Sequence, residues 1–337
     1  MKKISDRYKS ENKRYFCGVE WNFDRATLDP LKEYFDRLES KRNLIRNKRP
    51  LPASVLEKVK EELQLEWTYN SNSIEGNTLT LQETKIVLQD GMTVKGKSMR
   101  EHFEATNHHN AIAYLHETIT PAYTLSEKDV LKIHSLVLQN IEKDFAGRYR
   151  NGGVRITGAN FVPPNALKVP VLMEALLEWV NSNPMELNVL ALAAVFHHRF
   201  VHIHPFFDGN GRTVRLLMNL LLMKEGYPPA IILKNDRKKY YEALNQANQG
   251  NYSKLLLLVL QAQERSLNIY LNSFPTEGYD QEYLEITNLV KEEKLPYSSE
   301  YISLLARTGK IDAYKEGRNW LTSKAAVQNY MKQRKKK

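Results

Sequence analysis

The chain is poor in the features that tie a protein to a membrane or to an oxidising compartment. A single cysteine, Cys17, stands among 337 residues, which excludes an internal disulfide framework and fits a reducing, cytoplasmic setting. No apolar run approaches the roughly 20 residues needed to cross a bilayer, so no membrane partner is expected. The basic start Met1-Lys2-Lys3-Ile4-Ser5-Asp6-Arg7 is followed by no apolar segment, and secretion by a cleaved leader is not expected. Nor is there an excess of acid: 49 Lys and Arg against 39 Asp and Glu give a formal net charge of +10. That hints at an acidic partner, although five of the cations lie in the stretch Lys332-Gln333-Arg334-Lys335-Lys336-Lys337, a kind of run that is usually just solvated. The remainder, 42% hydrophobic and 26% charged, is ordinary for a soluble protein, and the length suffices for one large domain plus a smaller one.

Against that background one stretch is chemically dense. In His204-Pro205-Phe206-Phe207-Asp208-Gly209-Asn210-Gly211-Arg212-Thr213-Val214-Arg215 an imidazole, a carboxylate, a glycine-flanked amide and two guanidiniums fall within a dozen positions, just ahead of the apolar run Leu216-Leu217-Met218-Asn219-Leu220-Leu221-Leu222. The glycines permit a tight turn, and the run behind them reads as a helix starting near Arg212. Backbone N–H groups at such a start lack intrahelical partners, and the positive end of the helix dipole favours an anion there. Arg212 and Arg215, three apart, can both reach a polyphosphate over that end. Asp208 suits a carboxylate ligand for Mg²⁺, and His204 titrates near neutrality, as a general base should. Together these residues describe nucleotidyl or phosphoryl transfer. Two other readings stand beside it: a purely structural turn before a helix, and a metal cluster of His197, His198, His202, His204 and Asp208.

The same run resembles, at every defined position, the signature of the Fic family, H-x-F-x-[DE]-G-N-G-R-x-x-R. The resemblance implies an all-α fold with a small β-hairpin flap, and an enzyme that moves AMP from ATP to a Ser, Thr or Tyr hydroxyl of a protein, with removal of AMP as a second activity. It makes His204 the catalytic base and Asp208 the Mg²⁺ ligand. Gly209, Asn210, Gly211, Arg212, Thr213, Val214 and Arg215 become the nucleotide-binding run, with the two arginines on the outer phosphates. Transfer of UMP or phosphocholine uses the same signature, and relatives often form homodimers.

Upstream, helical spacing covers 27–47 and 53–73 on either side of the breaker Arg49-Pro50-Leu51-Pro52. The second helix ends in Ser71-Asn72-Ser73-Ile74-Glu75-Gly76, with Gly76 where a helix-ending residue belongs. This run is similar to the family's inhibitory motif [ST]-x-x-x-E-[GN], which implies that Glu75 competes for Arg215 and restrains the enzyme. Helices are expected over 81–90, 98–117 and 126–141, the last capped by Ser126. The turn-rich, β-prone stretch 147–164 reads as a hairpin, and by the resemblance as the flap on which a target segment adds as a strand. Helices over 170–182 and 186–203 lead into the motif, with His197, His198 and His202 read as hydrogen-bonded packing residues. After the stop Gly226-Tyr227-Pro228-Pro229, Tyr241 and Asn248 lie two turns apart on one helical face, so a ring and an amide can both face a base. The resemblance carries Tyr240, Tyr241 and Asn248 over as nucleobase-binding residues.

A helix over 251–272 runs into a linker, Ser273-Phe274-Pro275-Thr276-Glu277-Gly278. Beyond it, short helices over 285–291 and 299–306, strands over 311–314 and 319–322, and a final helix over 323–331 resemble a winged helix-turn-helix. From residue 281 onward twelve Lys and Arg meet seven Asp and Glu, but five of the twelve lie from Lys332 onward, leaving seven against seven. A neutral wing argues for a protein-binding or dimer-supporting module about as strongly as for a DNA reader. The expected organisation is therefore an N-terminal helical region (1–110), a catalytic domain (111–273), a winged-helix-like module (279–332) and a basic tail (333–337). The alternative in another class is a nucleotide-sensing regulator or scaffold.

Overall fold

A computed structural model describes residues 15–16, 19–20, 23–47, 52–120, 122–273 and 282–334. Cys17, the start 1–7, most of the breaker at 49–52, the linker beyond Ser273 and the last three residues of the tail lie outside the described residues.

Two short strands, β1 (Tyr15–Phe16) and β2 (Val19–Glu20), pair antiparallel. The helix expected from residue 27 begins as a 3₁₀ turn, Arg25–Leu31, and becomes α-helical only as α1 (Lys32–Asn47). Pro30 accounts for the delay: it removes one donor, while Asp24 caps the turn by accepting from the Ala26 N–H at 2.9 Å. Next come α2 (Ala53–Ile74) and α3 (Leu81–Lys85), the latter continuing as a π-helical turn, Ile86–Asp90, that stops at Gly91 with φ of 64°. Capping boxes open α4 (Met99–Thr118) at Ser98 and α5 (Glu127–Val137) at Ser126.

The centre of the fold is the pair α7 (Val189–Ile203) and α8 (Asn210–Lys224), joined by the chemically dense loop. Both are buried nearly all round: Leu190, Ala193, Phe196 and Phe200 on α7, and Val214, Leu217 and Leu220 on α8, are inaccessible to solvent. A helix that shows no polar face to water must lie inside, and each Val, Leu or Phe among these contributes about 1.5–3 kcal/mol on burial. Around the pair stand α2, α4, α5, α6 (Val169–Ser182), α9 (Arg237–Ala247) and α10 (Ser253–Asn272).

The hairpin expected over 147–164 is not formed. Among the described residues this stretch contains no paired strands and runs as an irregular loop. Its backbone is fastened by the buried Arg150 guanidinium, whose Nε donates to the His204 carbonyl (2.8 Å) and whose Nη1 donates to the Gly152 carbonyl (2.9 Å). A side chain thus supplies the partners a ladder would have supplied.

The remaining residues form a unit with a core of its own: α11 (Ile286–Glu293), α12 (Ser299–Arg307), β4 (Ala313–Glu316), β5 (Asn319–Thr322) and α13 (Lys324–Arg334). A strand that the sequence reading missed, β3 (Leu284–Glu285), pairs with β5 and completes an antiparallel sheet of order β3-β5-β4. Two residues long, β3 carries no period to detect. The unit docks on α1, α10 and the start of α9: Lys41 reaches Asp312 (2.5 Å) as well as Glu264 of α10 (3.1 Å), the Arg37 Nη2 donates to the Gly309 carbonyl (3.0 Å), and Lys315 binds Asp236 (2.7 Å). No described helix is long and apolar enough to cross a membrane.

Candidate active site

His204 closes α7 in the left-handed conformation, φ 49°, with its N–H on the Phe200 carbonyl at 2.9 Å. This strained position turns the chain away from α7, and Arg150 holds the His204 carbonyl from behind. Burial pushes the imidazole down to about 4 against the Val201 carbonyl; Arg150 lowers it further, and Glu75 and Asp208 raise it. The ring is therefore neutral at pH 7 and free to accept a proton. Both carboxylates act on it, so they and the base converge on one place.

The loop that follows is stapled by Asn210. Its Oδ1 accepts from the Phe206 N–H (3.0 Å) and its Nδ2 donates to the Phe206 carbonyl (2.8 Å), so the side chain shapes the loop, and what an anion could meet at the start of α8 is backbone N–H without intrahelical partners. Gly209 caps that start at φ 74°, a conformation glycine adopts without penalty. His134 completes the support: its ring stacks on Phe206 at 3.5 Å, Nδ1 accepts from the Gly147 N–H, and Nε2 donates to the Asp208 carbonyl at 3.0 Å. Nothing in the sequence marked His134, one polar residue on an otherwise apolar face of α5.

The Asp208 carboxylate has two unlike oxygens. Oδ1 accepts from the Gly209 N–H (2.6 Å) and meets Arg212 (3.4 Å), whereas Oδ2 meets the half-exposed Arg100 at 2.6 Å. Burial raises its pKa, but Arg212, the Gly209 N–H and Arg100 together hold it below the usual carboxylate value. An ionised, half-exposed carboxylate beside a helix N-terminus fits Mg²⁺, which takes one or two carboxylates and completes its shell with phosphate and water oxygens.

Arg212 and Arg215 are both buried. Arg212 pairs with Glu104 (3.0 Å) as well as Asp208. Arg215 binds Glu75 (2.7 Å) and also donates to Ser71, from Nε to Oγ (3.0 Å) and from Nη2 to the carbonyl (2.8 Å). Glu75 itself caps the end of α2, and its carboxylate lies over Gly211 so closely that a Cβ there would collide with it. Two helix ends thus meet with matched signs: the negative end of α2 faces Arg215, and the positive end of α8 faces Glu75. The acid sits where an anion at the start of α8 would sit.

The other expected ligands are placed unevenly. Thr213 and Val214 are fully buried, Val214 within the core. Tyr240 is buried behind Arg215, with its hydroxyl on His197 at 3.0 Å. Tyr241 is partly exposed and its hydroxyl donates to the Ile74 carbonyl (3.3 Å), which Arg237 also binds (2.6 Å). The Asn248 amide is engaged on both sides: Oδ1 with His198 (2.8 Å) and His202 (3.3 Å), and Nδ2 on Asn160 of the irregular loop (3.0 Å). Phe161 of that loop stacks on His202 at 4.3 Å. His198 further contacts the Tyr252 hydroxyl (2.7 Å), so the histidines of α7 are tied into hydrogen bonds.

A model of the Fic/DOC family matches residues 124–222. The protein adenylyltransferase Fic of Drosophila willistoni is 40% identical over 219 residues, 65% of this chain and 44% of that protein. Its namesake in Drosophila erecta is 36% identical over 261 residues, 77% of this chain and 51% of that one. The chain spans about half the length of the curated relatives it matches. Among solved structures, Fic-1 from C. elegans superposes with a TM-score of 0.64 at 32% identity, covering 74% of this chain and 75% of that one.

Proposed function

The chain belongs to the Fic/DOC family, and from that premise we propose that it is an ATP- and Mg²⁺-dependent protein adenylyltransferase restrained by its own Glu75. The observation that carries this reading is the placing of Glu75 on Gly211 and Arg215 at the N-terminus of α8, on the loop that His204 begins. With Glu75 withdrawn, the N–H groups at the start of α8 and the Arg212 and Arg215 guanidiniums receive the triphosphate. His204 takes the proton of a Ser, Thr or Tyr hydroxyl on a protein substrate as its oxygen bonds to the α-phosphorus and the bond to the departing pyrophosphate breaks. Preorganised donors at the site of developing charge are the largest contribution expected of such chemistry. Asp208 is the residue that would hold Mg²⁺, which when bound neutralises charge on the phosphate oxygens. Incubating the protein with ATP, UTP, GTP or CDP-choline and weighing it intact tests the donor: an added AMP mass with ATP alone is expected, and an adduct only from another donor overturns the choice.

Removal of AMP is a second activity of the same centre, favoured by the charge that Glu75 exerts on His204. Release of AMP from a modified protein, lost on Glu75→Gln, is the test. We read residues 282–334 as a winged-helix-like module that binds protein or supports a homodimer. Its charge outside the tail is balanced, and Lys315 is turned onto Asp236 of the body. Retardation of random duplex DNA at low salt would return the module to DNA binding. Sedimentation would reveal the homodimer.

A further inference from the structure

We propose that Arg100 is the exchangeable counter-ion of Asp208, holding the carboxylate aimed until a divalent cation takes its place and then withdrawing to Glu142. The inference rests on the reading of Asp208 as the metal ligand.

Three carboxylates from three segments surround this one guanidinium. Nη2 lies 2.6 Å from Asp208, Nε 3.4 Å from Glu104, and Nη1 3.6 Å from Glu142. The two oxygens of Asp208 are held differently. Oδ1 is fixed by the Gly209 N–H and by Arg212, a side chain only 3% exposed that also pairs with Glu104. Oδ2 is presented to Arg100, whose side chain is 49% exposed. One oxygen is therefore anchored for good, and the other faces a partner that solvent can replace.

A guanidinium and a dication gathered on Oδ2 oppose one another, since two positive charges a few ångströms apart repel even when partly hydrated. Withdrawal costs little, because an ion pair between two half-exposed side chains is held only weakly against water. Glu142, itself 43% exposed, already lies beside the other terminal nitrogen and receives the displaced charge. Arg100 is thus a positioning residue: it selects the rotamer of Asp208, while lowering the apparent affinity for the metal.

The test is Mn²⁺ binding to the full chain without nucleotide, followed by loss of the free-ion EPR signal at low ionic strength. Arg100→Gln should tighten binding roughly two- to fivefold, the range that one exposed ion pair allows. Arg100→Lys should restore the weaker affinity, and Glu142→Gln should weaken binding by leaving Arg100 nowhere to go. Unchanged or weaker binding in Arg100→Gln overturns the proposal, as does the absence of binding in both the natural protein and that variant. Asp208→Asn separates the two levels of argument. If it abolishes binding while Arg100→Gln does nothing, the counter-ion idea alone fails; if binding survives it, Asp208 is not the metal ligand and the reading beneath fails with it.

Discussion

Two regions of this protein bury ion pairs, and they do so in different ways. At the start of α8, Arg212 and Arg215 are almost fully covered; Glu104, which also holds Arg212, is only 12% exposed, but the two acids at the helix start remain partly open to water, Glu75 at 31% and Asp208 at 44%. At the junction with residues 282–334, Lys41 is covered and so are its acids, Glu264 at 1% and Asp312 at 11%. A buried cation paired with a buried anion has no competitor, and removing either leaves an uncompensated charge. A buried cation paired with an accessible anion has one, because another anion can arrive from solvent. The first arrangement fixes a joint between two parts of the chain; the second keeps a binding site filled until its ligand comes.

The two regions differ in this way only if the site does chemistry. His204→Ala should lower AMP transfer by about 10²–10⁴-fold, the usual contribution of a positioned base, measured by labelling from ATP. Retained transfer would move the chemistry elsewhere. The junction answers to a different measurement. Lys41→Met should destabilise folding by about 3–5 kcal/mol in urea unfolding, as breaking a buried pair does. Transfer by the folded fraction should not change. A loss under about 1 kcal/mol would mean that the junction is as exchangeable as the site. Glu75→Gly should raise transfer roughly ten- to a hundredfold, in the range of a typical coupling between sites. Unchanged labelling would make Glu75 a helix cap and nothing more.

How much of this was legible in the sequence follows from how local each signal is. The run from His204 to Arg215 could be read directly, because glycines, an acid and two arginines at fixed spacing constrain one turn and one helix start. Helix α2 and its end at Gly76 were legible for the same reason, through a strong apolar period and a stop. Arg150, Arg100 and His134 were not. Each acts on a residue 54 or more positions away, and a single polar residue on a helix or loop carries no periodicity that marks its partner. The hairpin expectation over 147–164 went wrong through the same blindness. Turn residues and β-prone pieces do describe that stretch, but Arg150, Asn160 and Phe161 fasten it to α7 and α9, and no ladder is formed. The Asn248 amide, expected to be open to a base, is likewise occupied by partners from α7 and this loop.

Acid offers the gentlest way to separate the two regions, because they hold different titrating groups. Burial lowers His204 and His134 to about 4 and His198 to about 3, all below the ordinary value of 6.5. The unfolded chain therefore binds these protons first. The stability the histidines contribute is complete above pH 6.5 and is lost as pH falls from there through the folded values. Asp312 at the junction, raised by burial but held below 3.8 by Lys41 and Arg37, keeps its contribution until the pH falls below 3.8. Urea unfolding should accordingly weaken between pH 6.5 and 5 in the natural protein, and Asp312→Asn should leave the slope of that loss unaltered. Transfer by the Glu75→Gly protein sharpens the same contrast. With a pKa of about 4, about nine-tenths of His204 is still neutral at pH 5, so the rate should stay nearly flat from pH 8 to 5. Removing Glu75 takes away one influence that raises the pKa, which pushes any decline to still lower pH. A midpoint near 6.5 in that profile would show the base to be solvated, and the site to be open in a way the buried arginines of α8 do not allow.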